Sequence, residues 1–221
     1  MDASLIQIIA VYALPVLFAI TLHEAAHGYV AHAFGDDTAY VGGRVSLNPL
    51  QHIDPIGTLL MPVLLYFATN GHFLFGYAKP VPVAFHRLRN PRWHSLWVAL
   101  AGPGVNFLMA FAWTCLFMVL AIVDIDEPFF TQMARAGVLV NLAMCAFNLF
   151  PLLPLDGGRI LWAFLPPRFS YAFSRLEPYG FFIVMGLVLI GVISNLWMRP
   201  LMALLSWMIN LLLTPLYFLL S

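Results

Sequence analysis

An α-helical polytopic membrane protein is the fold class this sequence predicts, and three features predict it. Hydrophobic residues make up 62% of the 221 positions and charged residues only 9%, against roughly 25% charged residues in a soluble domain. The apolar residues fall in runs of about twenty or more, the length that crosses the hydrocarbon as a helix. Between the runs stand short stretches rich in Gly, Pro, Asn and charge, which end helices. Five or six spanning helices are expected, with a short β or extended element that is re-entrant or interfacial. Residues 1 to 221 read as one membrane-embedded domain, with a core of about 4 to 160 and a terminal helix pair of about 179 to 220.

Residues 4 to 33 are apolar apart from one motif and form the first helix, stopped by Gly35-Asp36-Asp37. Residues 38 to 54, with Gly42-Gly43, alternating Val and Leu around Arg44 and Ser46, and Asn48-Pro49, predict short strands and turns at the membrane surface. Residues 55 to 70 predict a second helix. Residues 71 to 86, GHFLFGYAKPVPVAFH, hold too many breakers for one and predict an extended or re-entrant segment, tolerated at membrane depth only where protein buries it or it lines a wet cavity.

Residues 87 to 94 are the most basic stretch, and 95 to 122 form the next span, broken early by Gly102-Pro103-Gly104 and Asn106. Asp124, Asp126 and Glu127 make an acidic loop, and 129 to 153 span again. The stretches 179 to 198 and 200 to 220 predict the terminal pair. Basic segments stay cytoplasmic, so those around Arg44, Arg87 to Arg92 and Arg159 to Arg175 are expected inside, and the loop 123 to 128 outside.

Composition also excludes. Net charge is zero and no basic run suits a phosphate backbone, which argues against nucleic acid. Cys115 and Cys145 lie in apolar segments and read as buried thiols. Asp2 stands where a secretory signal is basic, and no small-residue cleavage site follows, so the first segment is expected to be retained.

The chemistry concentrates at the end of that segment, in Thr21-Leu22-His23-Glu24-Ala25-Ala26-His27-Gly28. Helical residues are about 100° apart, so His23 and His27 share one face and can grip one metal ion, while Glu24 sits about a quarter-turn away, in reach of a water. This is the HExxH pattern. Two interior histidines bonded to neighbouring helices are the plain alternative. With seven His and three Glu in the chain, chance places such a pattern with probability of only about 0.003. An ionisable group in a span also costs roughly 2.5 to 3.5 kcal/mol and so marks a functional candidate.

A catalytic zinc has three protein ligands and an open position. The third ligand is sought among acids in apolar settings at matching depth. Asp156 fits best: its span starts outside and returns it to the depth of His27. Pro151 and Pro154 prevent a regular helix before it, and Gly157-Gly158 permit close backbone approach. A plain N-cap for the helix at 157 is its other reading. Asp54, before Pro55, is the rival, and helix capping explains it.

HEAAH followed by LDGG, with GRVSLNPLQHIDPIGT, AKPVPV and AGPGVN between them in that order, resembles the site-2 protease family of intramembrane zinc metalloproteases over about residues 20 to 160. The resemblance implies one zinc ion held by His23, His27 and Asp156, Glu24 as catalytic acid/base, and a catalytic role for Asn148 on substrate backbone or a developing oxyanion. It implies single-span membrane proteins as substrates, cut within or near their spans, and the lipid bilayer as the medium. The setting expected is the cell membrane of a prokaryote, with the active site toward the cytoplasm. The chain is expected to be a small member without PDZ or CBS domain.

Asn106 is balanced between binding substrate and packing helices. His32 is turned roughly 140° from His27 and is not expected to bind metal. His52, His72, His86 and His94 lie at segment ends, where interfacial hydrogen bonding is expected. A helical substrate must unwind before cleavage, and segment 71 to 86 could offer it a strand edge. Two other functions stay open: a metal or proton transporter, which has no need of Glu24, and a non-catalytic scaffold stabilised by zinc.

Overall fold

The computed structural model describes residues 3–60, 79–125 and 127–220. No strand occurs among them. Helix α1, Ala3–Ala33, carries the motif in its final third. It ends where Gly35 turns left-handed (φ 102°), and Arg89 closes it by donating to the carbonyls of Ala33 and Phe34.

The strands expected over 38 to 54 are absent. The Asp36 carboxylate takes the N–H (3.1 Å) and hydroxyl of Thr38 at the start of a short helix, α2, Thr38–Val41. Asn48 takes the Leu50 N–H at 3.1 Å to start a 3-10 turn, Pro49–Gln51. Local side-chain acceptors thus satisfy this backbone without a sheet partner. Asp54 caps as expected, accepting from Ile56 (3.0 Å) and Gly57 (2.6 Å) at the head of a wide π turn, Pro55–Leu60. The rest of the helix expected over 55 to 70 lies outside the described residues, as do 71 to 78 of the irregular segment and His72. The remainder, 79 to 84, has no regular secondary structure.

Helix α3, Pro91–Ile122, starts four residues before the expected 95, because Asn90 accepts the Trp93 N–H and Pro91 takes the first position. It runs unbroken through Gly102-Pro103-Gly104, correcting the expected break. Gly102 and Pro103 are buried in its packed face, and neighbouring helices make such residues tolerable inside a span.

Helix α4, Pro128–Asn148, is followed by an irregular turn and α5, Asp156–Phe164. Arg92 closes α5 by donating to the carbonyls of Ala163 and Leu165. Then come α6, Pro167–Ser174, and α7, Glu177–Leu189, bent by 70° from one another. A wide π turn, Ile193–Met198, leads into α8, Arg199–Leu220. The terminal pair is expected as 179 to 198 and 200 to 220, with the break between them. It falls instead near Gly191 (φ 76°), and Pro200 is absorbed by the wide turn before it.

Helices α1, α3 and α4 pack on one another, α5 lies on α3, and α8 lies on α4. Leu205, Ile209 and Leu213 of α8 join Ala110, Met118, Leu142 and Cys145 in one core, so α8 is part of the bundle. Cys145 is buried, Cys115 half-buried, and both are free.

Among the described residues four helices are long and apolar enough to cross a membrane, Ile6–Ala33, Pro91–Ile122, Pro128–Asn148 and Ile193–Leu216, or five if the bent pair α6 and α7 counts as one span. The basic segments meet at one end. Arg44 donates to the carbonyls of Lys79 and Pro80, while Arg159 pairs with Glu177 and lies 4.5 Å from the Phe85 ring centroid. Asp124 and Glu127 sit at the other end, between α3 and α4.

Candidate metal centre

One turn of α1 stacks His23 over His27, and their Nε2 atoms lie 3.1 Å apart. The Asp156 Oδ2 atom is 3.3 Å from the His23 Nε2 and 3.4 Å from the His27 Nε2. Bonds of about 2.0 Å in a tetrahedral zinc site separate ligand atoms by roughly 3.3 Å, so all three distances match that spacing. Asp156 is the first residue of α5, with Leu155 rather than Asp156 at the N-cap. The close approach that brings it in depends on two glycines. A Cβ on Gly157 would stand 2.1 Å from the Leu149 carbonyl oxygen, and one on Gly158 2.3 Å from the Leu152 carbonyl carbon.

The donor chemistry fits a cation. The His27 Nδ1 lies 2.7 Å from the Val98 carbonyl oxygen, which can only accept, so this nitrogen carries the proton and donates. The His23 Nδ1 lies 2.6 Å from the Asn106 Oδ1 and donates to it. Each neutral ring then turns its Nε2 lone pair toward the other and toward Asp156. The Asp156 Oδ2 is shut from solvent with no hydrogen-bond partner. Lone pairs converging on one point in an apolar bundle repel unless a cation lies between them, and a buried oxygen without a donor asks for the same explanation. These are the residues whose ligand atoms can hold one metal ion.

Helix α3 makes one wall. A Cβ on Gly102 would meet the His23 Nε2 at 2.7 Å and the His27 Nε2 at 2.5 Å, so only glycine leaves that space free. Glu24 faces another neighbour: its Oε2 accepts the Val81 N–H at 2.8 Å. Gly28 permits the approach, since a Cβ there would meet Val45 at 2.8 Å and Val81 at 3.2 Å. The irregular segment 79 to 84 is fixed at both ends, with the Lys79 N–H on the His52 carbonyl (2.9 Å) and the Ala84 N–H on the Asp36 Oδ2 (2.6 Å). Its N–H groups at 79, 81 and 84 are thus used inside the fold.

The structure brings His23, His27 and Asp156 together and sets Glu24 against Val81. Asn148 closes α4 with its amide donating to the Met144 carbonyl at 3.0 Å. His32 pairs with Asp37 at 2.6 Å and stacks on Tyr40, as a residue outside the cluster. His52 is buried rather than interfacial and reaches the Ser46 carbonyl at 2.8 Å. Asn106 is fully buried against His23, and Asn141, which sequence reasoning passed over, touches it from α4. The signal available was an amide in the middle of an apolar span.

An apolar helical bundle with a His-His-Asp cluster, and a glutamate directly after the first histidine, defines a membrane-embedded zinc metalloprotease. Comparison with known proteins agrees. The chain is 37% identical over 176 residues to "Putative zinc metalloprotease YwhC" of Bacillus subtilis, covering 77% of this chain and 76% of that one. It is 31% identical over 174 residues to Rip2 of Mycolicibacterium smegmatis, which carries the same description, covering 78% of this chain and 64% of Rip2. "Zinc metalloprotease MJ0392" of Methanocaldococcus jannaschii is 27% identical over 152 residues, 69% of this chain and 33% of that one. No family model matches, and no solved structure matches. The chain belongs to the site-2 protease family of zinc metalloproteases. It is an integral membrane protein, and its cofactor is zinc.

Proposed function

We propose that the protein hydrolyses peptide bonds within or near the membrane-spanning segments of single-span substrates, as an intramembrane protease. His23, His27 and Asp156 would hold the zinc, Glu24 would be the acid/base, and Asn148 would hold substrate. The observation that carries this reading is the convergence of three lone-pair atoms, 3.1 to 3.4 Å apart, inside an apolar bundle. The basic segments gathered at the same end as the cluster support a cytoplasmic active site by the positive-inside rule. The relatives are bacterial and archaeal, which favours a prokaryotic cell membrane.

Zinc in this site supplies Lewis acidity, acidifying water and polarising the scissile carbonyl. Glu24 takes the proton from the attacking water and returns it to the leaving amine. Its hydrogen bond from Val81 aims the carboxylate while leaving the other oxygen free. Asn148 lies seven residues after Asn141, on the same face of α4 to within about 20°. The amide hydrogen not used on Met144 can donate to the oxyanion. The N–H groups of 79, 81 and 84 are paired inside the fold and leave little of that stretch to bind an unwound substrate.

The test is a reconstituted assay on a panel of single-span substrates, comparing wild type with Glu24→Gln, with metal analysis of both. Cleavage by the wild type, its loss in the variant and equal zinc content are expected. Metal flux into proteoliposomes without cleavage would replace this reading by a transporter. Cleavage indifferent to Glu24→Gln would remove its acid/base role.

A further inference from the structure

Beneath the cluster runs a chain of buried amides that joins three helices. On α1, the His23 Nδ1 reaches the Asn106 Oδ1 at 2.6 Å. On α3, the Asn106 Nδ2 donates to the Ala19 carbonyl at 3.2 Å and to the Asn141 Oδ1 at 3.0 Å. On α4, the Asn141 Nδ2 donates to the carbonyl of Gly137 at 2.9 Å. Both asparagines are fully buried, in surroundings where an amide left without partners is strongly destabilising.

Each link fixes the next. The carbonyls of Gly137 and Ala19 can only accept, so each must face an NH2 group. Gly137 therefore sets which end of Asn141 points along the helix and leaves its oxygen toward Asn106. Ala19 and the Asn141 oxygen together hold the NH2 of Asn106, which leaves the Asn106 oxygen toward His23. An oxygen there accepts only from a protonated Nδ1, and the tautomer so chosen has its lone pair on Nε2, the atom aimed at Asp156 and His27. A flipped Asn106 would present NH2 to the ring and favour the opposite tautomer, whose Nε2 carries a proton and cannot bind metal.

We propose that Asn106 and Asn141 are positioning residues for the metal site, locking His23 in the tautomer and ring orientation that zinc binding requires. This rests on His23 being a zinc ligand. Asn106 performs the part that a carboxylate or carbonyl commonly performs behind a ligating histidine, where its loss typically costs 10- to 100-fold in metal affinity. Asn141 acts one step further away, through the orientation of Asn106 alone.

The test measures zinc affinity by competition with a chromophoric chelator, on the full chain in detergent. It adds the visible spectrum of the Co2+-loaded protein and the thermal midpoint of the metal-free protein. Asn106→Leu is expected to weaken zinc binding 10- to 100-fold, and Asn106→Asp, which keeps an acceptor for the Nδ1 proton, to stay within about threefold of wild type. Asn141→Leu is expected to fall between them, with a changed Co2+ spectrum. If Asn106→Leu does not fold, the other two variants carry the test. Wild-type affinity and spectrum in Asn141→Leu, or a loss in Asn106→Asp as large as in Asn106→Leu, would overturn the proposal and leave only a packing role. His23→Ala separates the two readings: if it binds zinc as wild type does, the ligand assignment fails and this inference with it. If it loses zinc while the asparagine variants keep it, only this inference fails.

Discussion

The backbone N–H of Val81 donates to the carboxylate of Glu24 at 2.8 Å, joining the irregular segment 79 to 84 to the motif on α1. The two residues are 57 positions apart, and the contact exists because Gly28, one turn after Glu24, leaves room for Val81 and Val45 against the helix. Asp36 holds the far end of the same segment through Ala84. The segment is therefore a brace for the proposed acid/base, and its hydrogen bonds predict how variants divide between metal binding and turnover.

Glu24→Gln tests the acid/base assignment with little disturbance, because the amide oxygen of glutamine still accepts the Val81 N–H. Zinc content should match wild type, since no ligand is touched. Turnover should fall at least 10²- to 10⁴-fold, the usual contribution of a positioned acid/base. Metal analysis and a reconstituted cleavage assay on the same preparation check both halves.

Gly102→Ala separates helix propensity from site geometry. Alanine in a helix interior is worth about 1 kcal/mol over glycine, so at an open position the variant would be more stable. Here the new Cβ would stand 2.5 and 2.7 Å from the two Nε2 atoms, and the imidazoles would have to move. The expected result is a loss of at least tenfold in zinc affinity without a matching gain in thermal midpoint. A more stable protein with wild-type zinc affinity would show that the wall is not where the structure puts it.

Much of this site was legible in the sequence, because its parts are local or follow from counting spans. HExxH needs only helical spacing, and Asp156 follows from the return of α4 to the end where α1 finishes. Gly157-Gly158 announce close approach, and Asp54 announces a cap. What was not legible depends on partners across the bundle. Gly102-Pro103-Gly104 is a breaker in isolation and a contact surface once α1 lies against it. Asn106 could not be resolved between substrate and packing, because its role is set by His23 and Asn141, from two other helices. Local capping by Asp36 and Asn48 competes with strands in 38 to 54, and alternation of apolar residues does not weigh that competition. The break at Gly191 was hidden because Pro200, the stronger breaker, lies in a helix already widened to receive it.

Asp36 predicts an acid-sensitive brace. Burial pushes its carboxyl up, but the bonds from the Thr38 hydroxyl and N–H and the Ala84 N–H, with Arg87 nearby, outweigh this and hold it below the usual carboxylate range. A carboxyl lower in the folded than in the unfolded chain stabilises fully above its unfolded value of about 3.9, and the gain is lost as pH falls through the folded value. Asp36→Asn, which cannot carry the charge, should be less stable than wild type at pH 7 by about 1.5 to 3 kcal/mol. The gap should narrow on acidification. Thermal midpoints of both proteins in detergent at pH 7 and at about pH 2, below the unfolded carboxyl value, measure it, and a gap unchanged between the two would count against the assignment.

Val81→Pro removes the N–H that Glu24 accepts and changes the side chain beside Gly28, but leaves the metal ligands alone, so with a side-chain control it reports what the brace does for turnover. Proline has no N–H to give Glu24, and the backbone there already holds Pro80 and Pro82 on either side. A hydrogen bond to a charged group is worth about 1.5 to 3 kcal/mol, or roughly 10- to 100-fold in rate if the whole of it serves to aim the carboxylate. Val81→Ala is the control: it trims the side chain packed beside Gly28 but keeps the N–H. The expected pattern is normal zinc content in both, turnover reduced at least tenfold in Val81→Pro, and turnover within a few-fold of wild type in Val81→Ala. Equal losses in the two variants would assign the effect to packing against Gly28 rather than to the hydrogen bond. A fully active Val81→Pro would mean that Glu24 is aimed by its helix alone.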